Sequence, residues 1–390
     1  MKKYVILGNS IAALTAVRAI RSMDKEGQVT VVSAENHLPY SKVLLTHYIA
    51  GHVKVNNMYL TSPEEIKRLG VNVIYGTKAV GINISTREVI LENGRCIAFD
   101  SVLAATGGSP VSESDSVNCI STGLRTIEDA NLIIKTANSG GKILIAGGGL
   151  VGVKLACALN EAGYNAEMVI KSGHILSKVA DDEAALRIQL HMQSKGICIR
   201  TGVDIERVEE DDHGRKIAVL SDGQKTECDM VVYCKGVRPN MHFIDKSACD
   251  RDGIITNKFM MAQMPGIYAA GDVACTMEIT ENAYHNISIW PNAVEQGRIA
   301  GLNMAGGKYE YRGSLSRNSL EILGLPFIRM GITNAKGAQK ELDYEIESEN
   351  NTYKKLVYRK GKMVGALLLG DVYEAGRLQS VIRENNKKLT

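Results

Sequence analysis

Two small-residue turns hold the clearest chemistry in this sequence. One reads Gly8-x-Ser10-x-x-Ala13, the other Gly147-x-Gly149-x-x-Gly152. Small side chains at this spacing, between a strand and a helix, let backbone approach a pyrophosphate. The helix N-terminus then offers free N–H groups and a dipole that favours anions. The first turn departs from the usual pattern in the middle, where serine replaces glycine. Serine is the next smallest choice after alanine, and its hydroxyl can itself donate to a phosphate. Alanine is an accepted third residue. Glu35 ends the next strand, where an acid can accept ribose hydroxyls. Strand, turn, helix and acid in this order predict a dinucleotide at the first turn.

Other reactive types are scattered. The eight cysteines, at positions 96, 119, 157, 198, 228, 234, 249 and 275, form no Cys-x-x-Cys pair. Zinc, iron–sulfur clusters and a local dithiol therefore lack their usual signature, and reduced, buried thiols are expected. The eight histidines show no H-E-x-x-H or similar ligand spacing, so no metal is expected.

The elements that must position these turns follow from apolar periodicity. Residues 4–7 and 29–32 read as strands around a helix over 11–20. Residues 142–146 and 166–170 repeat the arrangement around a helix over 150–161. Hairpin-like segments follow each unit, at 82–84 with 89–91 and at 217–220 with 225–227. Three apolar strands, 102–105, 230–233 and 267–270, empty into glycine loops, as at the edge of a nucleotide site in an open α/β sheet. The tail differs. Segments 344–349, 353–359 and 363–369 read as strands, with Lys360-Gly361 as a hairpin turn and 372–385 as a closing helix.

A chain of 390 residues predicts two or three domains. Its 45% hydrophobic and 23% charged residues are ordinary for a globular protein. A net charge of +3 without a basic block gives no reason to expect nucleic acid. Lys2 and Lys3 precede an apolar run, but Gly8, Asn9, Arg18 and Arg21 break it as a signal peptide. No run approaches the ~20 apolar residues of a membrane helix. The expectation is a cytoplasmic protein without membrane insertion.

Five stretches taken together resemble the pyridine nucleotide–disulfide oxidoreductase superfamily of two-dinucleotide flavoproteins. They are Gly8-Asn9-Ser10, Ala105-Thr106-Gly107-Gly108, Gly147-Gly148-Gly149-x-x-Gly152, Gly236-Val237-Arg238-Pro239-Asn240 and Ala270-Gly271-Asp272-Val273-Ala274. The stretches Pro39-Tyr40-Ser41-Lys42-Val43-Leu44-Leu45 and Trp290-Pro291-Asn292-Ala293 resemble the NADH:rubredoxin reductase and nitrite-reductase-like branch. The resemblance implies an α/β fold of two Rossmann-like domains with a small C-terminal α+β domain. Residues 1–112 and 236–308 would form a discontinuous FAD-binding domain, 113–235 an NAD(P)-binding domain, and 309–390 an interface or docking domain.

By that resemblance the first turn, with Gly8, Ser10, Ala13 and Glu35, holds FAD. Asp272 would hydrogen-bond the ribityl chain, with Gly271 allowing close approach. Ser41 and Lys42 would lie beside the flavin. Val80 would touch the adenine through backbone, and Ala105, Thr106 and Gly107 would close over the diphosphate side. Pro291, with Asn292 after it, suits the first position of a helix aimed at the flavin N1–O2 edge, favouring the anionic reduced form. Trp290 fits equally well beside that site or as a core or interface aromatic.

The second turn, with Gly147, Gly149 and Gly152, would hold NAD(P)H. Its ribose acid is missing. Ile170 stands in that place, followed by Lys171 and Ser172. Loss of the acid removes repulsion of a 2′-phosphate, and a nearby cation attracts one. NADPH use, NADH use without the acid, and a turn that has lost nicotinamide all stay open. Many relatives also carry a glutamate where this chain has Lys154, so a lysine–glutamate pair at the flavin is not expected.

Segment 37–52 has no cysteine against the flavin, so thiolate relay chemistry is unsupported. The resemblance then implies hydride transfer to flavin and electrons passed on to rubredoxin, ferredoxin or an iron–sulfur subunit. The protein would act alone, as a homodimer, or inside a larger complex. A redox sensor without turnover is a third reading.

Overall fold

A computed structural model describes residues 1–111, 120–250, 252–334 and 341–386. Cys119 and the expected boundary at 112 and 113 lie outside the described residues.

The first unit opens with β1 (Lys3–Leu7), α1 (Ile11–Met23) and β2 (Gln28–Val32). A short helix, α2 (Leu45–Ile49), precedes β3 (Val71–Ile74) and β4 (Ser101–Ala104). With the strand Ile267–Ala269 they form a parallel sheet in the order 267–269, β4, β1, β2, β3. Tyr4 to Leu7 are buried without a break, as expected of a strand covered on both faces. The antiparallel segment Ala79–Asn83, Glu88–Leu91 and Cys96–Ala98 lies beside it, one strand longer than the pattern predicts.

The second unit repeats the plan. β5 (Ile120–Thr122) leads to α3 (Ile127–Asn138), then β6 (Ile143–Ala146), α4 (Leu150–Glu161), β7 (Ala166–Ile170), β8 (Cys198–Thr201) and β9 (Met230–Tyr233). Its parallel sheet runs β8, β7, β6, β9, β5. Reciprocal hydrogen bonds between Thr126 and Asp129 cap α3 at its start.

α5 (Trp290–Met304) returns to the first unit and lies along α1. A Cβ on Gly297 would come 2.2 Å from the Ala12 carbonyl oxygen, and one on Gly301 2.4 Å from that of Ala16. Backbone therefore meets backbone along this seam. The proline of α5 is second in the helix, after Trp290, rather than first as the sequence suggests.

The last unit is an antiparallel sheet of β10 (Arg317–Ile322), β11 (Leu325–Gly331), β12 (Leu342–Ser348), β13 (Tyr353–Arg359) and β14 (Lys362–Leu369), in the order β10, β11, β14, β13, β12. α6 (Ala375–Asn385) buries Leu378 and Ile382 on it. Burying such a side chain contributes about 1.5–3 kcal/mol. β10 and β11 are additions to the three strands the periodicity predicts. Among the described residues, no helix is long and apolar enough to cross a membrane.

Candidate functional site

A cavity of about 820 Å³ opens where the three units meet. Ser10, Ala12, Ala105, Gly271 and Asp272 line its floor, Arg125, Val151 and Lys154 one wall, and Arg317, Leu320 and Gln379 another. The first turn reaches it by a tight backbone path. Gly8 has φ +108°, and a Cβ there would sit 2.1 Å from the Ala105 carbonyl oxygen. Ser10 begins α1 without giving that helix a side-chain cap, and Ile289 gives α5 none. Two helix N-termini thus end at one cavity with no side chain occupying their free N–H groups, which suits a bound anion.

The Gly271 peptide is fixed from α5, since its N–H donates to Gln296 Oε1 at 2.9 Å. Asp272 follows, with one carboxylate oxygen 2.7 Å from Arg125 Nη2. The Asn286 amide also donates to the Asp272 carbonyl at 2.7 Å.

Lys42 lies at the opposite edge. Its Nζ donates to Glu35 at 2.6 Å, to the Tyr40 hydroxyl at 3.1 Å and to the Arg125 carbonyl at 3.1 Å. Burial pulls the Lys42 ammonium below its usual range, an effect its Glu35 partner opposes. Tyr40 also donates a short hydrogen bond to Glu35. The acid expected at a ribose and the lysine expected at a flavin are thus paired with each other.

The structure gathers Ser10, Lys42, Ala105, Gly107, Gly271, Asp272 and Pro291 at the cavity, and Trp290 with them. Gly8, Ala13, Glu35, Ser41, Thr106 and Asn292 are not among the lining residues. Ala13, Ser41 and Asn292 are buried, and Thr106 donates its hydroxyl to the Asn240 carbonyl at 2.8 Å. Val80 is apart, exposed on the strand Ala79–Asn83. Gly147, Gly149 and Gly152 form the turn from β6 into α4, and Lys171 follows β7 on the surface.

Several lining residues were not singled out from sequence, Arg125, His47 and Arg317 among them. Arg125 precedes the α3 N-cap, so its readable signal was the arginine directly before the Thr126–Asp129 capping pattern. His47 lies on α2, and burial, then Lys154 and His52, hold its pKa below the usual histidine value. Arg317 donates to Gln379 at 2.5 Å. Lys154, noted for its unusual type, donates to the Glu321 carbonyl at 3.0 Å and ties α4 to β10. No cysteine lines the cavity among the described residues. Burial pushes the thiols of Cys157 and Cys234 up to about 12 and that of Cys275 up to about 11.

Two glycine turns on two parallel sheets, each leading into a helix whose first turn lines one cavity, define a two-dinucleotide fold. The chain belongs to the pyridine nucleotide-disulphide oxidoreductase family, whose model matches residues 2–297. Residues 317–386 match the C-terminal domain of rubredoxin NAD+ reductase. It is an NAD(P)H oxidoreductase that uses FAD.

An NADH oxidase of Enterococcus faecalis is 26% identical, covering 98% of this chain and 92% of that protein. The epsilon subunit of NADH-dependent phenylglyoxylate dehydrogenase of Aromatoleum evansii is 28% identical, covering 97% and 91%. An NADH-rubredoxin oxidoreductase of Clostridium acetobutylicum is 26% identical, covering 97% and 94%. Among solved structures, an engineered water-forming NADPH oxidase bound to NADPH superposes with TM-score 0.90 at 22% identity, covering 98% of this chain and 91% of that one. A covalent putidaredoxin reductase–putidaredoxin complex gives TM-score 0.89 at 21% identity, covering 98% and 93%.

Proposed function

We propose that this oxidoreductase passes electrons from NAD(P)H through FAD to a redox protein, a rubredoxin, a ferredoxin or an iron–sulfur subunit, without a thiol relay. The single observation that carries the proposal is the cavity, which joins two uncapped helix N-termini yet has no cysteine among its described lining residues. Relatives named as a rubredoxin oxidoreductase and as a subunit of a larger dehydrogenase support a protein acceptor.

FAD, when bound, accepts hydride and releases electrons. The chain's part is placement. Gly8, Ser10 and Ala13 would carry the pyrophosphate at the start of α1, and Asp272 the ribityl chain. Glu35 would turn from Lys42 to the ribose hydroxyls, leaving Lys42 beside the flavin with Ser41. Ala105, Thr106 and Gly107 would close the diphosphate side, and Val80 would contact the adenine through its backbone. Pro291 and Asn292 lie in the first turn of α5, whose positive end would favour negative charge on the flavin. Gly147, Gly149 and Gly152 would seat the nicotinamide dinucleotide. Residues 1–112 with 236–308 would serve the flavin, 113–235 the nicotinamide, and 309–390 the acceptor or a second copy.

Anaerobic stopped-flow mixing with NADH and with NADPH tests this reading. Rapid loss of flavin colour, followed by its return on adding an oxidised acceptor protein, is expected. A second reading is favoured by the epsilon-subunit relative: a flavin subunit of a larger enzyme with weak nicotinamide binding. In that case neither nucleotide bleaches the flavin, and a co-purifying iron–sulfur partner in its reduced form does.

A further inference from the structure

The loop after β7 is fastened to the second glycine turn from two sides. Leu176 N–H donates to the Gly148 carbonyl at 2.7 Å, and a Cβ on Gly148 would meet the Ile170 side chain at 2.7 Å. Across the loop, Gly202 N–H donates to the Ser172 carbonyl at 3.0 Å and Val203 N–H to that of Ile170 at 3.2 Å. Ser172 uses its own hydroxyl on the His174 carbonyl at 2.9 Å. Lys171 therefore springs from a braced segment at the end of β7, beside the turn. In this fold the adenosine ribose of a dinucleotide lies at that strand end.

The charges around Lys171 set what that end can accept. Its side chain is 82% exposed, with Nζ 3.5 Å from Asp204 Oδ2. Asp204 is the carboxylate in contact with Lys171 and could instead read ribose hydroxyls or repel a phosphate. Its other oxygen is 2.8 Å from Lys235 Nζ and also accepts the Ile205 N–H at 3.0 Å. Asp204 and Lys235 are each only 17% exposed. One carboxylate is shared by two ammonium groups, and the better-shielded pair is with Lys235. Of the two ammonium groups, Lys171 is the one exposed to solvent. His174 adds nothing outward, since one ring nitrogen is 2.7 Å from the Ile175 carbonyl and the other 3.2 Å from Asp182.

We infer that Lys171 takes the adenosine 2′-phosphate, with the Asp204–Lys235 pair as its fixed base, so that the second site selects NADPH over NADH. This rests on the reading that the second turn holds a nicotinamide dinucleotide. Ile170 contributes by offering a 2′-hydroxyl no acceptor, which removes the usual advantage of NADH.

The test is calorimetric titration of the FAD-loaded protein with adenosine 2′,5′-bisphosphate, adenosine 3′,5′-bisphosphate and 5′-AMP. None of these carries a nicotinamide, so the readout does not depend on turnover. The 2′,5′-bisphosphate should bind about ten- to a hundredfold more tightly than 5′-AMP, the size of one hydrogen bond between charged groups. Lys171→Glu should abolish that ratio, and Lys171→Arg should keep it. Equal binding of the 2′,5′- and 3′,5′-bisphosphates would overturn the inference, because Lys171 would then be a general anion attractor. An unchanged ratio in Lys171→Glu, or 5′-AMP binding as tightly as the 2′,5′-bisphosphate, would overturn it too while leaving the nicotinamide site intact. If no adenosine ligand binds and neither NADH nor NADPH does, the nicotinamide site itself is lost and the inference falls with it.

Discussion

Arg125 Nη2 lies 2.7 Å from Asp272 Oδ2, joining the loop into α3 to the glycine corner after Ile267–Ala269. The two side chains are 26% and 18% exposed, so solvent screens the pair only in part. Arg125 thus brings a cation from the second unit to the carboxylate proposed for the ribityl chain. Arg125→Ala should weaken FAD binding about tenfold, the loss of one partly screened charge-assisted contact. Flavin fluorescence titration of the apoprotein measures this. An unchanged dissociation constant would remove Arg125 from the flavin site.

The α1–α5 seam predicts a stability effect. Gly301→Val forces a branched side chain to within 2.4 Å of the Ala16 carbonyl, with the Ala19 methyl at 2.9 Å. The expected cost is about 3 kcal/mol or more, at the upper end for an overpacked core. Denaturant unfolding of this variant against Gly376→Ala, a position with open space around it and an ordinary backbone conformation, would show whether the seam is as tight as its geometry states.

Thiol chemistry should be silent. Cys157, Cys234 and Cys275 are buried, and their raised pKa values keep them protonated near neutral pH. Iodoacetamide at about pH 7.5 should leave NAD(P)H-dependent flavin reduction within twofold of the untreated rate. A large loss that tracks labelling of one cysteine would restore a thiol to the mechanism.

His47 predicts a pH dependence of stability. Its folded pKa is lowered from 6.5, chiefly by burial, so the unfolded chain binds the proton more readily. Its contribution is fully present above the ordinary histidine value and is lost as pH falls from there toward the folded value. His47→Gln should therefore flatten the loss of unfolding free energy just below pH 6.5. Parallel curves for both proteins would mean that His47 does not titrate differently on folding.

The glycine turns were legible because their requirement is local. Gly8 must leave the ordinary backbone region, and no other residue type does so as cheaply. The β10–β11 hairpin was hidden for the opposite reason. Its turn is Leu323-Gly324, with leucine at φ 50°, a conformation that leucine does not advertise. Pro326 in β11 and the polar Arg317, Asn318 and Ser319 of β10 also blur the alternation. Arg125 was hidden by distance, since its partner Asp272 lies 147 positions away along the chain. Lys171 could be read as a cation at the right place, but its sharing of Asp204 with Lys235 comes only from folding. Trp290 fitted two places equally on paper, and the start of α5 sets it at the cavity.

Because Gly297 and Gly301 lie directly against the Ala12 and Ala16 carbonyls, the angle between α1 and α5 has little room to change. The direction in which both positive helix ends aim is in effect hard-wired. In the proposed flavin placement, adjustment of the redox midpoint would then fall to Lys42, Arg125 and Lys154, which line the cavity outside that joint.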